Sequence, residues 1–308
     1  MAELKRDQLL SVLRQTELAQ DITAFVVDRQ ARGLSPRTCE YYSKELRHLQ
    51  AYLEGRGVRR VRDVTADHIR QYLLHLSQRG RNAGGCHCAY RVAKTFLRWA
   101  WAEYGLAPPC PIAKVTAPRV PQQQLDPVPL SNLKAMLATC ERHTFHGDRD
   151  RAILLCLLDT GARASEFLAL DVRDVNLSTG AVIIRHGKGG KFRTAFVGAK
   201  ARRELVRYLR HRSDSGALWV TIEGKRLTYA GLRQVVRRRA LAAGVPVPSL
   251  HSFRRAFALA CLRGGMDVYS LQKLMGHADL TVLRRYLQQS EADLQAAHAK
   301  SGPVDNLL

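Results

Sequence analysis

The sequence predicts a mainly α fold with a small β-sheet, divided into two domains, and three observations carry that prediction. Apolar residues recur at helical spacing through most of the 308-residue chain. Only one short region reads as strands, Val182-Ile183-Ile184 and Phe192 to Val197, flanking the glycine-rich turn Gly187-Lys188-Gly189-Gly190. Between helical stretches lies 116–129, in which four of fourteen residues are Pro and three are Gln. Pro fixes φ and disfavours helix in the residue before it, so this stretch is expected to be an extended, exposed linker.

Four helices are expected before the linker. Leu18, Ile22, Phe25 and Val26 share one face of the first. Ser35-Pro36 starts the second with a hydroxyl cap and Pro at its first position, and Leu46, Leu49 and Leu53 line it. Thr65 caps a third carrying Ile69, Tyr72, Leu73 and Leu76. A fourth is expected after Gly84-Gly85, with Val92, Phe96, Leu97 and Ala100.

Beyond the linker, Leu130-Ser131 is expected to open a helix behind a serine cap, and Ile153 to Leu158 to be a buried helical run. Further helices are expected around 199–211, 228–243, 251–263 and 267–275, with one more near 290–299. The expected boundaries are a tail at 1–17, a helical domain at 18–112, a linker at 113–127 and a mixed domain at 128–308.

Composition narrows the class of function. Lys and Arg number 49 against 27 Asp and Glu, a net charge of +22, which points to a polyanionic partner. No apolar run approaches the roughly 18 residues of a membrane span, and the charged N-terminus lacks a signal-peptide core. Seven scattered cysteines disfavour a disulfide framework, so a cytoplasmic nucleic-acid protein is expected. Cys86-His87-Cys88 is too tight for a zinc site and has no second pair, and no metal site is expected.

Five features of the second half suit phosphate chemistry together, although each is weak alone. In Thr160-Gly161-Ala162-Arg163-Ala164-Ser165-Glu166, an arginine at a helix start can aim its fork at a phosphate, and Glu166 can hold it. In isolation the two read as a surface ion pair. Lys188, on a glycine-flanked hairpin tip, can reach into a cleft and donate a proton, or simply be solvated. His251 and Arg254 sit three apart on one helix face. The same spacing occurs at His146 and Arg149, assigned to a polar helix start, which shows how little the pattern means alone. Met275-Gly276-His277 and then Tyr286, nine residues after that histidine, complete the set.

In this order and spacing the residues resemble those of the tyrosine recombinases, the phage integrase family. That family's signature runs from an Arg in TG-x-R-x-S-E through a Lys in a GKG hairpin and H-x-x-R to G-H and a tyrosine. Arg163, Lys188, His251, Arg254, His277 and Tyr286 match it, and the resemblance covers roughly residues 18 to 300. It implies an N-terminal four-helix, SAM-like core-binding domain followed by an α+β catalytic domain. Val282 and Leu283 depart from the small hydroxyl residues usual before the tyrosine, while Thr281 is kept, and Arg284-Arg285 is more basic than usual.

The resemblance implies covalent catalysis. Arg163 and Arg254 would neutralise the phosphodiester, His251 would accept the proton of Tyr286, and Lys188 would protonate the leaving 5′-oxygen. His277 would bond the scissile phosphate or position Tyr286. The 3′-phosphotyrosyl link would conserve the bond energy, so no cofactor and no metal would be needed. Double-stranded DNA carrying a specific core site is the implied partner. A tetramer on two sites and a sister recombinase are implied as further partners, with 290–308 docking on a neighbouring protomer. Arg59, Arg60, Arg202, Arg203, Arg237, Arg238 and Arg239 are candidates for backbone contact. The alternatives are a type IB topoisomerase and a catalytically inactive DNA-binding relative. With about 17 residues before the first helix, no lambda-like arm-binding domain is expected, and a simple Xer-like recombinase in integration, excision or dimer resolution is expected instead.

Overall fold

Local capping chemistry sets where the helices begin. A computed structural model describes residues 16–121, 126–185, 192–213 and 216–276, with the isolated positions 295, 298, 299, 302 and 304. The chain divides into two compact units, Met1–Gln123 and Gln124–Leu308.

The first unit holds α1 (Glu17–Ala31), α2 (Pro36–Glu54), α3 (Ala66–Gln78) and α4 (Ala83–Glu103). Thr16, Ser35 and Thr65 cap the first three through their hydroxyls, and His68 answers Thr65 in a reciprocal capping box. The fourth starts earlier than expected. Asn82 accepts from the Gly85 N–H at 2.7 Å, which draws Gly84 and Gly85 into the first turn. Phe25, Leu46, Leu53, Ile69, Phe96 and Leu97 form the buried centre, and the Phe25 ring meets Tyr42, Phe96 and Trp99 edge-on. Packing also runs past the expected linker start at 113, because Val115 belongs to this core and its carbonyl accepts from the Tyr90 hydroxyl.

The second unit is mostly helical: α5 (Leu130–Ala138), α6 (Phe145–Thr160), α7 (Ala164–Ala169), α8 (Ala199–Leu209), α9 (Tyr229–Ala242), α10 (Leu250–Arg263) and α11 (Val268–Met275). Its β1 (Ala181–Ile184) and β2 (Arg193–Phe196) pair antiparallel, with Val182 opposite Ala195. Pro129, not Ser131, stands at the start of α5, and no side chain caps it. The helix α6 is central, packing against α8, α10 and α5. Trp219, fully buried, stacks on Phe167 at 4.7 Å and on Tyr208 at 5.8 Å. The expected helix near 290–299 lies outside the described residues apart from isolated positions.

The polar start expected around His146 to Arg149 turns out to be the edge of a buried ionic cluster. Asp150 has no solvent exposure and receives Arg149 Nη2 at 2.9 Å, Arg238 Nη2 at 2.7 Å and Arg239 Nε at 2.8 Å. Arg149 also donates to the Val220 carbonyl and Arg239 to the Thr139 carbonyl, so the cluster ties α6 to α9 and to the end of α5. Removing one partner of a buried ionic set strands the others. Asp150→Ala should therefore lower unfolding stability by about 3–5 kcal/mol, read from the urea midpoint, and a loss below about 1 kcal/mol would mean the cluster is solvated in solution.

Candidate active site

Two turns and a strand build the site in the second unit. The helix α6 ends at Gly161, whose φ of +55° is left-handed. A Cβ there would also stand 2.2 Å from Cδ1 of Phe257, so two independent constraints require glycine. The chain then turns through Ala162 and Arg163 into α7. The Glu166 carboxylate caps this six-residue helix, Oε2 accepting from the Arg163 N–H at 2.9 Å. The helix N-terminus expected to greet a phosphate is thus occupied by Glu166, and the side chain of Arg163 is what faces outward. That side chain donates from Nη1 to Glu166 Oε1 at 2.7 Å and from Nη2 to the Gly276 carbonyl at 3.1 Å.

Arg254 approaches the same place from α10. It is buried, at 1% exposure, and donates from Nη1 to the Gly161 carbonyl and from Nη2 to the Met275 carbonyl at 2.7 Å. Arg163 and Arg254, distant in sequence, therefore reach adjacent carbonyls at the end of α11. Those carbonyls carry the partial negative charge of a helix C-terminus, which attracts guanidinium without cancelling its charge.

Glu166 is the anionic centre. Burial alone would push its carboxyl up, but hydrogen bonds from Arg193, the Arg163 N–H and the Arg163 side chain together hold it below the ordinary glutamate range. His251 begins the same helix as Arg254. Burial, and then the charges of Arg255, Arg254 and Arg163, push its imidazole below the ordinary histidine value, so it is neutral at pH 7 and able to take a proton.

Of the six expected catalytic residues, Arg163, His251 and Arg254 are thus brought together, with Glu166 behind them. Lys188, His277 and Tyr286 lie outside the described residues, although Ile184 and Phe192 bracket the first and Gly276 immediately precedes the second. No group of three His, Cys, Asp or Glu side chains among the described residues is placed to hold a metal ion. No described helix is long and apolar enough to cross a membrane.

The candidate backbone contacts divide. Arg59, Arg203 and Arg237 are exposed. Arg60 pairs with Asp63 at the surface, at 2.7 Å. Arg202 donates to the Ser178 carbonyl, Arg238 is half-exposed beside Asp150, and Arg239 is only 12% exposed there. Sequence reasoning missed Arg193, which bonds Glu166 at 2.7 Å and the Leu274 carbonyl at 2.9 Å. Its signal was the alternation of β2, which turns Phe192 and Phe196 outward and Arg193 inward.

Two arginines that converge from separate turns on one helix end, one buried and one part-exposed, form a site suited to an anionic group such as a phosphodiester. The second unit matches the phage integrase family over residues 128–293, and the first matches the phage integrase N-terminal SAM-like domain over 28–103. The chain belongs to the phage integrase family, the tyrosine recombinases. It is 32% identical over 288 residues to tyrosine recombinase XerC of Myxococcus xanthus, covering 88% of this chain and 93% of that protein. It is 31% identical over 280 residues to tyrosine recombinase XerD of Pseudomonas aeruginosa, again covering 88% and 93%. Its fold resembles the crystal structure of the XerH site-specific recombinase bound to a palindromic difH substrate after cleavage. There the TM-score is 0.71 at 19% identity, covering 88% of this chain and 82% of that one. The chain is accordingly a site-specific DNA recombinase, an enzyme that cleaves and rejoins strands, and the topoisomerase and inactive-relative alternatives are not favoured.

The depressed Glu166 carboxyl makes a sign-definite prediction. A folded value below the unfolded one contributes stability that is complete above the unfolded value of about 4.3 and is lost as pH falls through the folded value. Glu166→Gln should cost about 1–3 kcal/mol at pH 7 in denaturant unfolding, and the gap from the parent should narrow in acid. A gap that stays constant from pH 7 to pH 3 would show that the carboxylate charge is not what matters.

Proposed function

We propose that Tyr286 attacks a DNA phosphodiester held by Arg163 and Arg254, forming a 3′-phosphotyrosyl bond and releasing a 5′-hydroxyl. The observation that supports this most is the convergence of those two guanidiniums on consecutive carbonyls, Met275 and Gly276, directly before His277.

Each proton has a stated destination. The phenol of an ordinary tyrosine ionises near pH 10, so at neutral pH its proton must be taken as the oxygen attacks. His251 receives it, kept neutral by burial and the surrounding arginine charge. As the bond from phosphorus to the 5′-oxygen breaks, Lys188 gives that oxygen a proton. Arg163 and Arg254 stabilise the charge that grows on the non-bridging oxygens. Attack by a second strand's 5′-hydroxyl reverses these steps, and the energy stays in the phosphotyrosyl bond, so no cofactor enters.

We assign the backbone contacts first to the exposed Arg59, Arg203 and Arg237, then to Arg60 and Arg238. Arg202 gives Nη1 to the Ser178 carbonyl and Arg239 bonds Asp150 and the Thr139 carbonyl, so both act mainly in the fold. The enzyme works as a tetramer on two sites of double-stranded DNA in the cytoplasm, with 290–308 docked on a neighbour, in integration, excision or dimer resolution. A sister recombinase would complete the assembly where the two half-sites differ.

A duplex nicked near the cleavage point traps the adduct and tests the chemistry. Tyr286→Phe should abolish the covalent band while leaving specific binding within about twofold. An adduct persisting in that variant would mean another nucleophile.

The acid limb of single-turnover cleavage should report His251. Because its folded value lies below the ordinary 6.5 or so, the rate should hold through pH 6.5 and fall only in more acidic buffer. An unchanged acid limb in His251→Gln would remove His251 from the proton-accepting role.

A further inference from the structure

We infer that Arg193 is a positioning residue for strand cleavage: it aims Arg163 through Glu166 and fixes the exit of α11 into the segment carrying His277 and Tyr286. The inference rests on the proposed reading in which Arg163 holds the scissile phosphate.

Its geometry is that of a strut between three elements. From β2, Nη2 donates to Glu166 Oε2 at 2.7 Å, and Nε donates to the Leu274 carbonyl at 2.9 Å. Glu166 passes the constraint on, since its other oxygen holds Arg163 Nη1 at 2.7 Å. Leu274 is two residues before Gly276, the carbonyl of which takes Arg163 Nη2 at 3.1 Å. Arg193 therefore constrains Arg163 at both of its contacts, once through a carboxylate and once through backbone.

The surroundings are shaped for this side chain. Gly276 has a φ of +62°, and a Cβ on it would stand 2.9 Å from Arg193 Cδ and 3.1 Å from Nε. The residue at 276 thus needs glycine both for its backbone and to leave the guanidinium stem room. The strand departs from the usual inside-apolar pattern to deliver that stem. Arg193 is 9% exposed at its side chain while Phe192 and Phe196, on the opposite face, are 72% and 53% exposed. Burying a guanidinium in place of two phenylalanines is costly for stability alone, which points to a positional role.

Arg193 also stands five residues after Lys188 on the same hairpin. Through this one side chain, the strand that leads from the proposed acid is bonded to the anchor of the phosphate-binding arginine and to the helix end before the nucleophile's segment. Only a fork with donors on different edges can bridge a carboxylate and a carbonyl in this way, so lysine replaces it incompletely.

The test is single-turnover adduct formation on the nicked duplex, measured alongside specific DNA binding and thermal unfolding. Arg193→Ala should slow adduct formation on the order of 100-fold, the scale of a reacting group misplaced by about 1 Å. Binding to the same duplex should stay within about threefold, and Arg193→Lys should recover part of the rate. A stability control, Asp150→Asn, should keep the parental rate per folded molecule. If Arg193→Ala forms adduct at the parental rate, or if its whole loss appears in binding, the inference falls. If Arg193→Ala does not fold, the decision passes to Arg193→Lys, where a parental rate overturns the inference and a selective slowing of cleavage supports it. Failure of the parent itself to form any adduct would instead sink the proposed chemistry, so the two failures are distinguishable.

Discussion

The second unit gathers guanidinium groups at one point and must do so without neutralising them. A carboxylate for each arginine would abolish the positive field that a phosphodiester needs; none at all would let the cations repel one another apart. Glu166 resolves the conflict by serving two arginines at once, Arg163 through Oε1 and Arg193 through Oε2. Four further donors go to carbonyls: those of Gly161, Leu274, Met275 and Gly276. All four lie at the C-terminal ends of α6 and α11, where the helix dipoles concentrate partial negative charge. Helix ends thus hold the arginines while leaving the net charge in place. Three guanidiniums against one carboxylate leave +2, and His251, kept neutral, adds none.

The same logic explains why both helices end on left-handed glycines. Gly161 presents its carbonyl to Arg254 and Gly276 presents its own to Arg163. Each turn must bring backbone close to a bulky neighbour, the Phe257 ring in one case and the Arg193 stem in the other, and a side chain would occupy that space. The anchoring is reciprocal. Arg163 follows the α6 turn and binds the α11 turn, and Arg254 binds both, so neither helix end can shift without moving one of the two arginines proposed to hold the phosphate.

Much of this is legible in the sequence, and the part that is not has a physical explanation. Thr16 excepted, the hydroxyl caps at Ser35 and Thr65 and the apolar stripes behind them are local signals, and local signals place helices well. The starts of α4 and α5 were misplaced because weak local cues competed: Asn82 outranks the glycines after it as a cap, and Pro129 begins a helix that Ser131 only continues. The buried cluster around Asp150 was hidden because Arg149, Arg238 and Arg239 read as surface charge in a chain so rich in it, and only tertiary packing reveals a shared partner. The roles of Arg163, His251 and Arg254 rested on order and spacing, and the structure adds the carbonyls that aim two of them. Arg193 was invisible for a different reason. An arginine on a strand is unremarkable until the strand's facing is known, and the outward phenylalanines that signal it also suggest the opposite orientation.

Charge is thus used in two distinct ways within one unit. At Asp150 the carboxylate and Arg149 are enclosed and Arg239 nearly so, only Arg238 stays half-exposed, and the cluster acts as a joint between α6, α9 and the end of α5. At Glu166 the carboxylate is enclosed, yet Arg163 keeps a side chain that is 31% exposed. The contrast is between Arg149, whose donors are spent on Asp150 and the Val220 carbonyl, and Arg163, which bonds Glu166 and the Gly276 carbonyl from the edge of the site. A buried cation whose donors are all engaged has nothing left for a ligand, whereas a guanidinium with five N–H donors can use some on the scaffold and present the rest. Partial exposure of Arg163 with a buried anchor behind it is the arrangement that lets it be both rigid and available, and rigidity is what stabilises a transition state more than a ground state.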